Sequence, residues 1–383
     1  MTQLYLIRHT QAEGNRYRMM QGHWDGDVTP MGLREIDALA ARFQSLPIHA
    51  VYSSDLTRAV LTAEGIAHSK NLPVLKDTRL RELDLGPWES QFFGNIVQQY
   101  PAEAEVFLHD PGNWKIVGAE TAYDVMERSY PALLEIAERH EGQSVAVVSH
   151  GVTIRCLLTK ILGLSFSSDE LLPIFKNTAV TKLNYENGTF SVEYMGDASH
   201  IEGLEESDWI SVGALRDEPF NPSDDPDFYL SCYEDAWRTI HNGNTSRFRP
   251  ERYLEAAVRH HAANPQAIHK LYDGDVCVGL IDCDTEKGAH ANYGWVSFLY
   301  LIPEYRGKGY GIQALGRALV LYRNLGRTAL RLYAAASNTS ALRFYNKCGF
   351  SVLSQEPGAD GPLLLLEKKL GNRRLIKTEQ KGE

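Results

Sequence analysis

Cysteine is scarce in this sequence: there are five, Cys156, Cys232, Cys277, Cys283 and Cys348, and no two form a Cys-x-x-Cys pair. That count and spacing exclude a dense disulfide framework and give no zinc-ribbon pattern. A reduced, cytoplasmic setting fits best. Long hydrophobic runs are missing too; none approaches the ~20 residues of a membrane-spanning helix. The opening MTQLYLIRH is too short an apolar stretch for a signal peptide and has no small-residue cleavage site. Nor is there a basic excess. Residues 1–204 carry 17 Lys and Arg against 26 Asp and Glu, and residues 205–383 carry 22 against 23. Nucleic-acid binding is therefore excluded as an expectation, although a few arginines can still form a local pocket for a small anion.

What is present is enough for more than one core. The chain has 383 residues, and a prior of roughly 150 residues per domain gives two or three domains. In the first half, apolar segments Gln3–Ile7, Ala50–Ser53 and Ser144–Val148 read as strands. They alternate with helical patterns over Gly32–Gln44, Asp55–Ala67 (Ser54 as N-cap), Ala122–Arg139 and Val152–Leu162, and a hairpin turns at Asn187-Gly188. Such alternation predicts a mainly parallel sheet covered on both faces. Around 203–227 the composition becomes acidic and rich in Pro and Asp, which reads as a linker or surface loop. The second half predicts helices near Ser231–His241, Pro250–Ala263, Gly311–Leu325 and Thr339–Lys347. Strands are expected at Ala267–Tyr272, Val276–Asp282, Gly294–Ile302, Ala329–Ala334 and Leu363–Glu367. The boundaries follow: 1–204, 205–370 and a polar tail at 371–383.

Five segments of the first half carry chemistry. Arg8-His9 ends the first strand and His150-Gly151 ends SVAVV, so both histidines fall at strand carboxyl ends, where ligand crevices form. Asn15 lies in the following loop, Arg58 in the first turn of a helix, and Glu82 in RLRELDLGPWES. An imidazole can attack phosphorus, guanidinium groups bind phosphoryl oxygens, and a carboxylic acid can protonate a departing alkoxide. Nothing in this set requires a metal.

In order, LIRHTQAEGN, GHWDGDVTPMG, SSDLTRAVLTA, LRELDLGPWE and Ser149-His150-Gly151 resemble the motifs of the histidine phosphatase (phosphoglycerate mutase-like) superfamily. The resemblance implies a three-layer α/β/α domain with His9 as phosphohistidine nucleophile and Glu82 as proton donor. Arg8, Asn15, Arg58, His150 and Gly151 would surround the phosphoryl group. Thr10, Ala12 and Ser90 depart from the usual residues, at positions that bear on loop shape. Residues 82–89 look more like the phosphatase branch, so hydrolysis of a small phosphorylated metabolite is favoured over a mutase.

In the second half, LYLIPEYRGKGYG sits at a strand-to-helix junction. Together with Asn338-x-x-Ala341-x-x-x-Tyr345-x-x-x-Gly349-Phe350, it resembles the GNAT N-acetyltransferase superfamily. That implies an α+β domain with a mixed central sheet and acetyl-CoA as co-substrate. Leu299, Tyr300 and Leu301 would pair with the pantetheine arm, and Arg306, Gly307, Lys308, Gly309, Tyr310 and Gly311 would hold the pyrophosphate. Asn338 would contact the cofactor, and Tyr345 would act as general acid on the thioester sulfur. No carboxylate stands in the strand 294–303, so the base stays open between a water chain and Glu234 or Asp235. His260-His261 reads as an exposed helix pair. The expectation is a bifunctional cytoplasmic enzyme acting on a phosphomonoester and, with acyl-CoA, on a small amine. The alternatives are a phosphatase regulated by a non-catalytic acyl-CoA-binding module, or a phosphoglycerate mutase-type phosphotransferase.

Overall fold

A computed structural model describes residues 1–166, 170–204, 213–358 and 361–371. The tail read over 371–383 lies outside them apart from Gly371, as does the acidic stretch 205–212. The first domain contains β1 (Thr2–Arg8), α1 (Glu13–Tyr17), α2 (Pro30–Phe43), β2 (Ala50–Ser53), α3 (Thr57–Lys70) and β3 (Val74–Lys76). It continues with α4 (Phe93–Gln99), α5 (Pro101–His109), α6 (Ala122–Arg139), β4 (Ser144–Ser149), α7 (Gly151–Leu162), β5 (Val180–Glu186) and β6 (Thr189–Asp197). The sheet order is β3-β2-β4-β1-β5-β6, with the first four strands parallel and the hairpin antiparallel.

Period-two alternation builds the three layers. Leu4 and Leu6 of β1, with Val145 and Val147 of β4, face α6 and α7. Tyr5, Ile7, Ala146 and Val148 face α2 and α3 instead. Strands apolar on both faces can only be buried between helices. This carries the carboxyl ends of β1 and β4, hydrogen-bonded in register from Gln3↔Ser144 to Arg8↔Ser149, to one edge of the sheet.

The second domain comprises β7 (Arg216–Pro219), α8 (Pro226–Ile240), α9 (Pro250–Ala263), β8 (Ile268–Asp273), β9 (Val276–Asp284), β10 (Tyr293–Leu301) and α10 (Tyr310–Asn324). It ends with β11 (Ala329–Ala335), α11 (Thr339–Lys347), β12 (Ser351–Gly358) and β13 (Gly361–Lys369). Its sheet runs β12-β13-β11-β10-β9-β8-β7 and is mixed, β10 and β11 being parallel. That pair is in register over Tyr293–Trp295 and Ala329–Arg331 and then parts, just before β10 bulges against β9 between Val296 and Phe298.

Three local expectations are corrected. Ser54 does not cap α3; the helix starts at Thr57, whose N–H and hydroxyl are taken by Asp25 at 3.0 and 2.5 Å. The Pro/Asp-rich stretch read as linker contains edge strand β7. The Asn95 side chain covers that edge, donating to the Asp217 carbonyl and accepting its N–H, both at 2.9 Å. Helix α8 begins at Pro226, earlier than Ser231, because Asp225 caps it and proline suits its first turn.

The two domains share a core. Tyr17, Met19 and Phe92 of the first are buried in one cluster with Leu315, Leu319, Tyr322 and Leu330 of the second. Gly316 of α10 makes the approach possible, since a Cβ there would lie 2.8 Å from the Tyr17 Cβ and 3.0 Å from the Met19 sulfur. Overpacking of this kind typically costs about 1–3 kcal/mol. Gly316→Val is therefore expected to lower the melting temperature of the whole chain, as scanning calorimetry can check; an unchanged transition would mean that the domains do not dock this way.

Candidate active sites

His9 follows β1 and is 3% exposed. Its Nδ1 lies 2.6 Å from the Thr10 carbonyl oxygen, which can only accept. Nδ1 therefore carries the proton and Nε2 keeps a bare lone pair, the form a nucleophile needs. His150, fully buried at the start of α7, lies with its ring centroid 5.0 Å from that of His9. Neither of its ring nitrogens has a hydrogen-bond partner among the described residues. Burial, reinforced by the Arg58 cation, holds both imidazoles well below the ordinary histidine range, so both are neutral at pH 7.

Two guanidinium groups flank the rings. Arg8 donates from Nη1 to the Phe175 carbonyl, and Arg58 donates to the carbonyls of Gly22 at 2.6 Å and Trp24 at 3.2 Å. The Nε of each is buried without a partner among the described residues. Burial pulls Arg58 down to about 10, against the pull of Asp25, Glu82 and Glu89, so it remains a cation at neutral pH. Gly151 must be small. A Cβ there would sit 3.4 Å from Arg8 Nε and 2.9 Å from Ile174 Cγ2.

Glu82 reaches the same place, but as an acceptor. Its oxygens take the N–H groups of Val152 at 3.1 Å and Thr153 at 3.0 Å, at the amino end of α7. Asn15 accepts the Ala12 N–H at 3.0 Å through Oδ1, which leaves its N–H groups as the donors a phosphate could meet. Among the described residues no group of three or more His, Cys, Asp or Glu side chains could hold a metal ion.

Sequence reading missed the supports of this site. The carbonyls of Gly22 and Trp24 aim Arg58, with the Asp25 carboxylate 3.7 Å from it. Thr10, the departure from the motif, bonds Gly32 O at 2.6 Å and Glu35 Oε2 at 2.8 Å and so ties the loop to α2. Asn177 Nδ2 holds the His9 carbonyl at 2.8 Å. Main-chain acceptors leave no mark in a sequence; Glu35 and Asn177 have no spacing that singles them out.

In the second domain the splay of β10 from β11 leaves Ser297–Leu301 without a strand partner on that side among the described residues. The glycine turn follows, with φ +71° at Gly307 and +88° at Gly309, the N-cap of α10. A Cβ on Gly307 would point into open space. Positive φ and free first-turn N–H groups form a cradle for a diphosphate, so the residues present fit acetyl-CoA. Around it, Arg306 donates to the Leu301 carbonyl at 2.7 Å and to Asp235 at 2.5 Å, while Tyr300 donates to Asp235 at 2.9 Å. Lys308 is exposed, and the Tyr310 hydroxyl bonds Asp273 at 3.2 Å. Asn338 caps α11 through the Ala341 N–H at 3.1 Å. Tyr345 packs in one cluster with Leu299, Phe344 and Phe350, and burial pushes its hydroxyl up.

The proposed bases are otherwise engaged, Asp235 as above and Glu234 with Arg238 at 2.6 Å on the surface. His260 is not an exposed residue. Its Nδ1 lies 2.8 Å from buried Asp282, which also accepts from Tyr229, and its Nε2 is 3.3 Å from Asp284. The spacing Tyr253, Ala257, His260 puts it on the inner face of α9, a signal that was available in the sequence.

Residues 4–198 match the histidine phosphatase superfamily (branch 1), and residues 229–350 match the acetyltransferase (GNAT) family. A probable phosphoglycerate mutase GpmB of Proteus mirabilis is 32% identical over 209 residues, spanning 53% of this chain and 97% of the relative. Its counterpart from Salmonella paratyphi A is 30% identical over 207 residues, spanning 53% and 96%. The solved structure of Bacillus stearothermophilus YhfR, 34% identical with a TM-score of 0.51, covers 52% of this chain and 100% of its own. The chain belongs to the histidine phosphatase superfamily, with a GNAT acetyltransferase domain joined behind the phosphatase domain. It is a bifunctional enzyme, a phosphatase and an acetyltransferase, and no helix among its described residues is long and apolar enough to cross a membrane.

Proposed function

We propose that the first site hydrolyses a small phosphomonoester through a phosphohistidine on His9, and that the second transfers an acetyl group from acetyl-CoA to a small amine. The first reading rests on one observation above all. Two buried neutral imidazoles, with ring centroids 5.0 Å apart, lie beside the buried Arg58 and the half-buried Arg8, whose Nε–H groups are both enclosed and have no partner among the described residues. His9 Nε2 attacks phosphorus, and the P–O bond to the alkoxide breaks as Glu82 supplies a proton. Water then attacks phosphorus and gives a proton to the Glu82 carboxylate as the P–N bond breaks, which releases inorganic phosphate and returns Glu82 to its protonated form. Arg8, Arg58, His150 and the Asn15 amide hold the phosphoryl oxygens throughout. The relatives named as probable phosphoglycerate mutases favour a second reading, in which the phosphoryl group returns to a phosphoglycerate instead of passing to water. Phosphate release by the full chain across a phosphomonoester panel separates the two: steady release supports hydrolysis, and isomerisation of phosphoglycerate without release supports the mutase.

In the second site the turn at Arg306–Gly311 receives the diphosphate, and the free edge of β10 at Leu299–Leu301 receives the pantetheine arm. Tyr345, kept protonated by burial, donates to the departing thiolate. A thiolate leaves more readily than an alkoxide, so the help required is modest. Tyr345→Phe is expected to lower single-turnover acetyl transfer by about tenfold, below the 10²–10⁴ range of a strong general acid, with acetyl-CoA affinity unchanged. Transfer at the wild-type rate would reduce the tyrosine to a packing residue. We place both activities in the cytoplasm, a reduced setting that suits five scattered cysteines with no Cys-x-x-Cys pair.

A further inference from the structure

We propose that Arg323, on the acetyltransferase helix α10, is a positioning residue of the phosphatase site; this rests on the phosphohistidine reading above. The starting point is a pair of carboxylates in the first domain, Glu13 and Asp27. Each holds the other's main chain: the Glu13 N–H donates to the Asp27 carbonyl at 2.9 Å, and the Asp27 N–H donates to the Glu13 side-chain Oε2 at 3.1 Å. The two residues thus close the base of a loop that runs from 13 to 27. Their side chains are almost fully enclosed, 1% and 9% exposed.

Arg323 and Lys368 of the other domain face this pair. Arg323 Nη2 donates to both, at 2.8 Å to Glu13 Oε2 and 2.5 Å to Asp27 Oδ2. Lys368 Nζ of β13 lies 3.4 Å from Glu13 Oε1, and the Gly371 N–H donates to Asp27 Oδ2 at 3.0 Å. Two anions that share one guanidinium nitrogen repel each other once it is removed, and an enclosed unpaired carboxylate is strongly disfavoured.

The loop between them carries the parts that aim the phosphate-binding side chains. Gly22 and Trp24 offer their carbonyls to Arg58, Asp25 stands beside it, and Asn15 lies in α1. The Trp24 side chain also packs against the core cluster of the second domain. Arg323 touches neither histidine nor the place where phosphorus would sit. It acts through the loop: its charge keeps the base closed, and the closed base keeps Arg58 and Asn15 where a phosphoryl group meets them.

The test uses the full chain with p-nitrophenyl phosphate as substrate and inorganic phosphate as inhibitor. Arg323→Met is expected to lower kcat/KM by about tenfold, most of it in KM and matched in the inhibition constant, because loss of binding common to ground and transition states leaves kcat nearly intact. Acetyl-CoA affinity should stay within twofold of wild type. Arg323→Lys should restore most of the loss. So should Arg323→Met combined with Glu13→Gln, which removes the repulsion instead of restoring the cation. A tenfold rise in KM with both rescues establishes the role. Unchanged KM and inhibition constant in Arg323→Met overturn it, as does an equal loss at both sites that neither rescue repairs, which would make Arg323 a docking residue only. If Arg323→Met does not fold, Arg323→Gln takes its place beside Arg323→Lys: a KM and inhibition constant raised in the Gln variant and near wild type in the Lys variant support the role, and equal values in the two overturn it. Hydrolysis that survives His9→Ala would overturn the phosphohistidine reading itself, and is distinguishable because it leaves the Arg323 comparison untouched.

Discussion

His9→Ala should reduce phosphomonoester hydrolysis by roughly 10⁴-fold or more, the scale seen when a nucleophile is removed and binding groups remain. Arg8, Arg58 and His150 stay in place, so the variant should still bind inorganic phosphate. Acetyl-CoA binding should be untouched, since β10 and the glycine turn make no use of His9. Wild-type protein quenched in acid-free conditions during turnover should carry phosphate on His9, and the variant should carry none. The pH profile adds a second check. Burial first, then Arg58 and Arg8, hold the His9 imidazole well below its ordinary value of 6.5. A depressed pKa means that the neutral, nucleophilic form persists as pH falls through 6.5. The acid limb of kcat/KM, which reports the free enzyme, should therefore lie below 6.5. The same shift has a stability consequence of fixed sign. Below 6.5 the unfolded chain binds protons that folded His9 and His150 refuse, so stability present above 6.5 is lost as pH falls. Rapid hydrolysis by His9→Ala, or an acid limb centred above 6.5, would remove His9 from the nucleophile's role.

The contrast between what was legible and what was not has a physical basis. The ends of β1 and β4 are readable because short continuous apolar runs stop at Arg8-His9 and just before Ser149-His150-Gly151. The apolar period marks helix α6 from Ala122 to Arg139, and at its amino end Thr121 closes a capping box with Asp124. Edge strand β7 was hidden, because an edge strand needs few apolar residues and this one is covered by Asn95 from another domain. Arg58 was readable as a helix cation, but the acceptors that aim it are main-chain carbonyls in a loop remote in sequence. Arg323 looks like any basic residue in the last turn of a helix. Only the docking of two domains shows that it faces Glu13 and Asp27. The shared core leaves no such mark: the sequence pattern gives two domains, 1–204 and 205–370, and only the fold brings Tyr17, Met19 and Phe92 against Leu315, Leu319 and Tyr322.

Glu82→Gln should discriminate between two jobs that the structure gives one side chain. As proton donor to the leaving alkoxide, Glu82 should matter most when the leaving group is poor. An amide cannot deliver that proton, whereas p-nitrophenolate departs with little help. General acid assistance is typically worth ~10²–10⁴-fold, so the loss on an alkyl phosphate should reach that range while p-nitrophenyl phosphate loses only a few-fold. The competing job is visible in the hydrogen bonds. Glu82 accepts from Val152 and Thr153 N–H at the first turn of α7, immediately after His150, and from the Thr153 hydroxyl at 3.2 Å. An anion at a helix amino end is favourable, and here it would fix the residue that holds the phosphoryl group. Glutamine keeps one acceptor oxygen but turns an N–H₂ group toward the helix, so it weakens this anchor as well. Loss of the anchor would misplace His150 and slow both substrates alike, whatever their leaving groups. The ratio of the two rates separates these roles where either rate alone would not. A loss at least tenfold larger on the alkyl ester makes Glu82 the acid; equal losses make it the support of His150 and leave the proton to come from water.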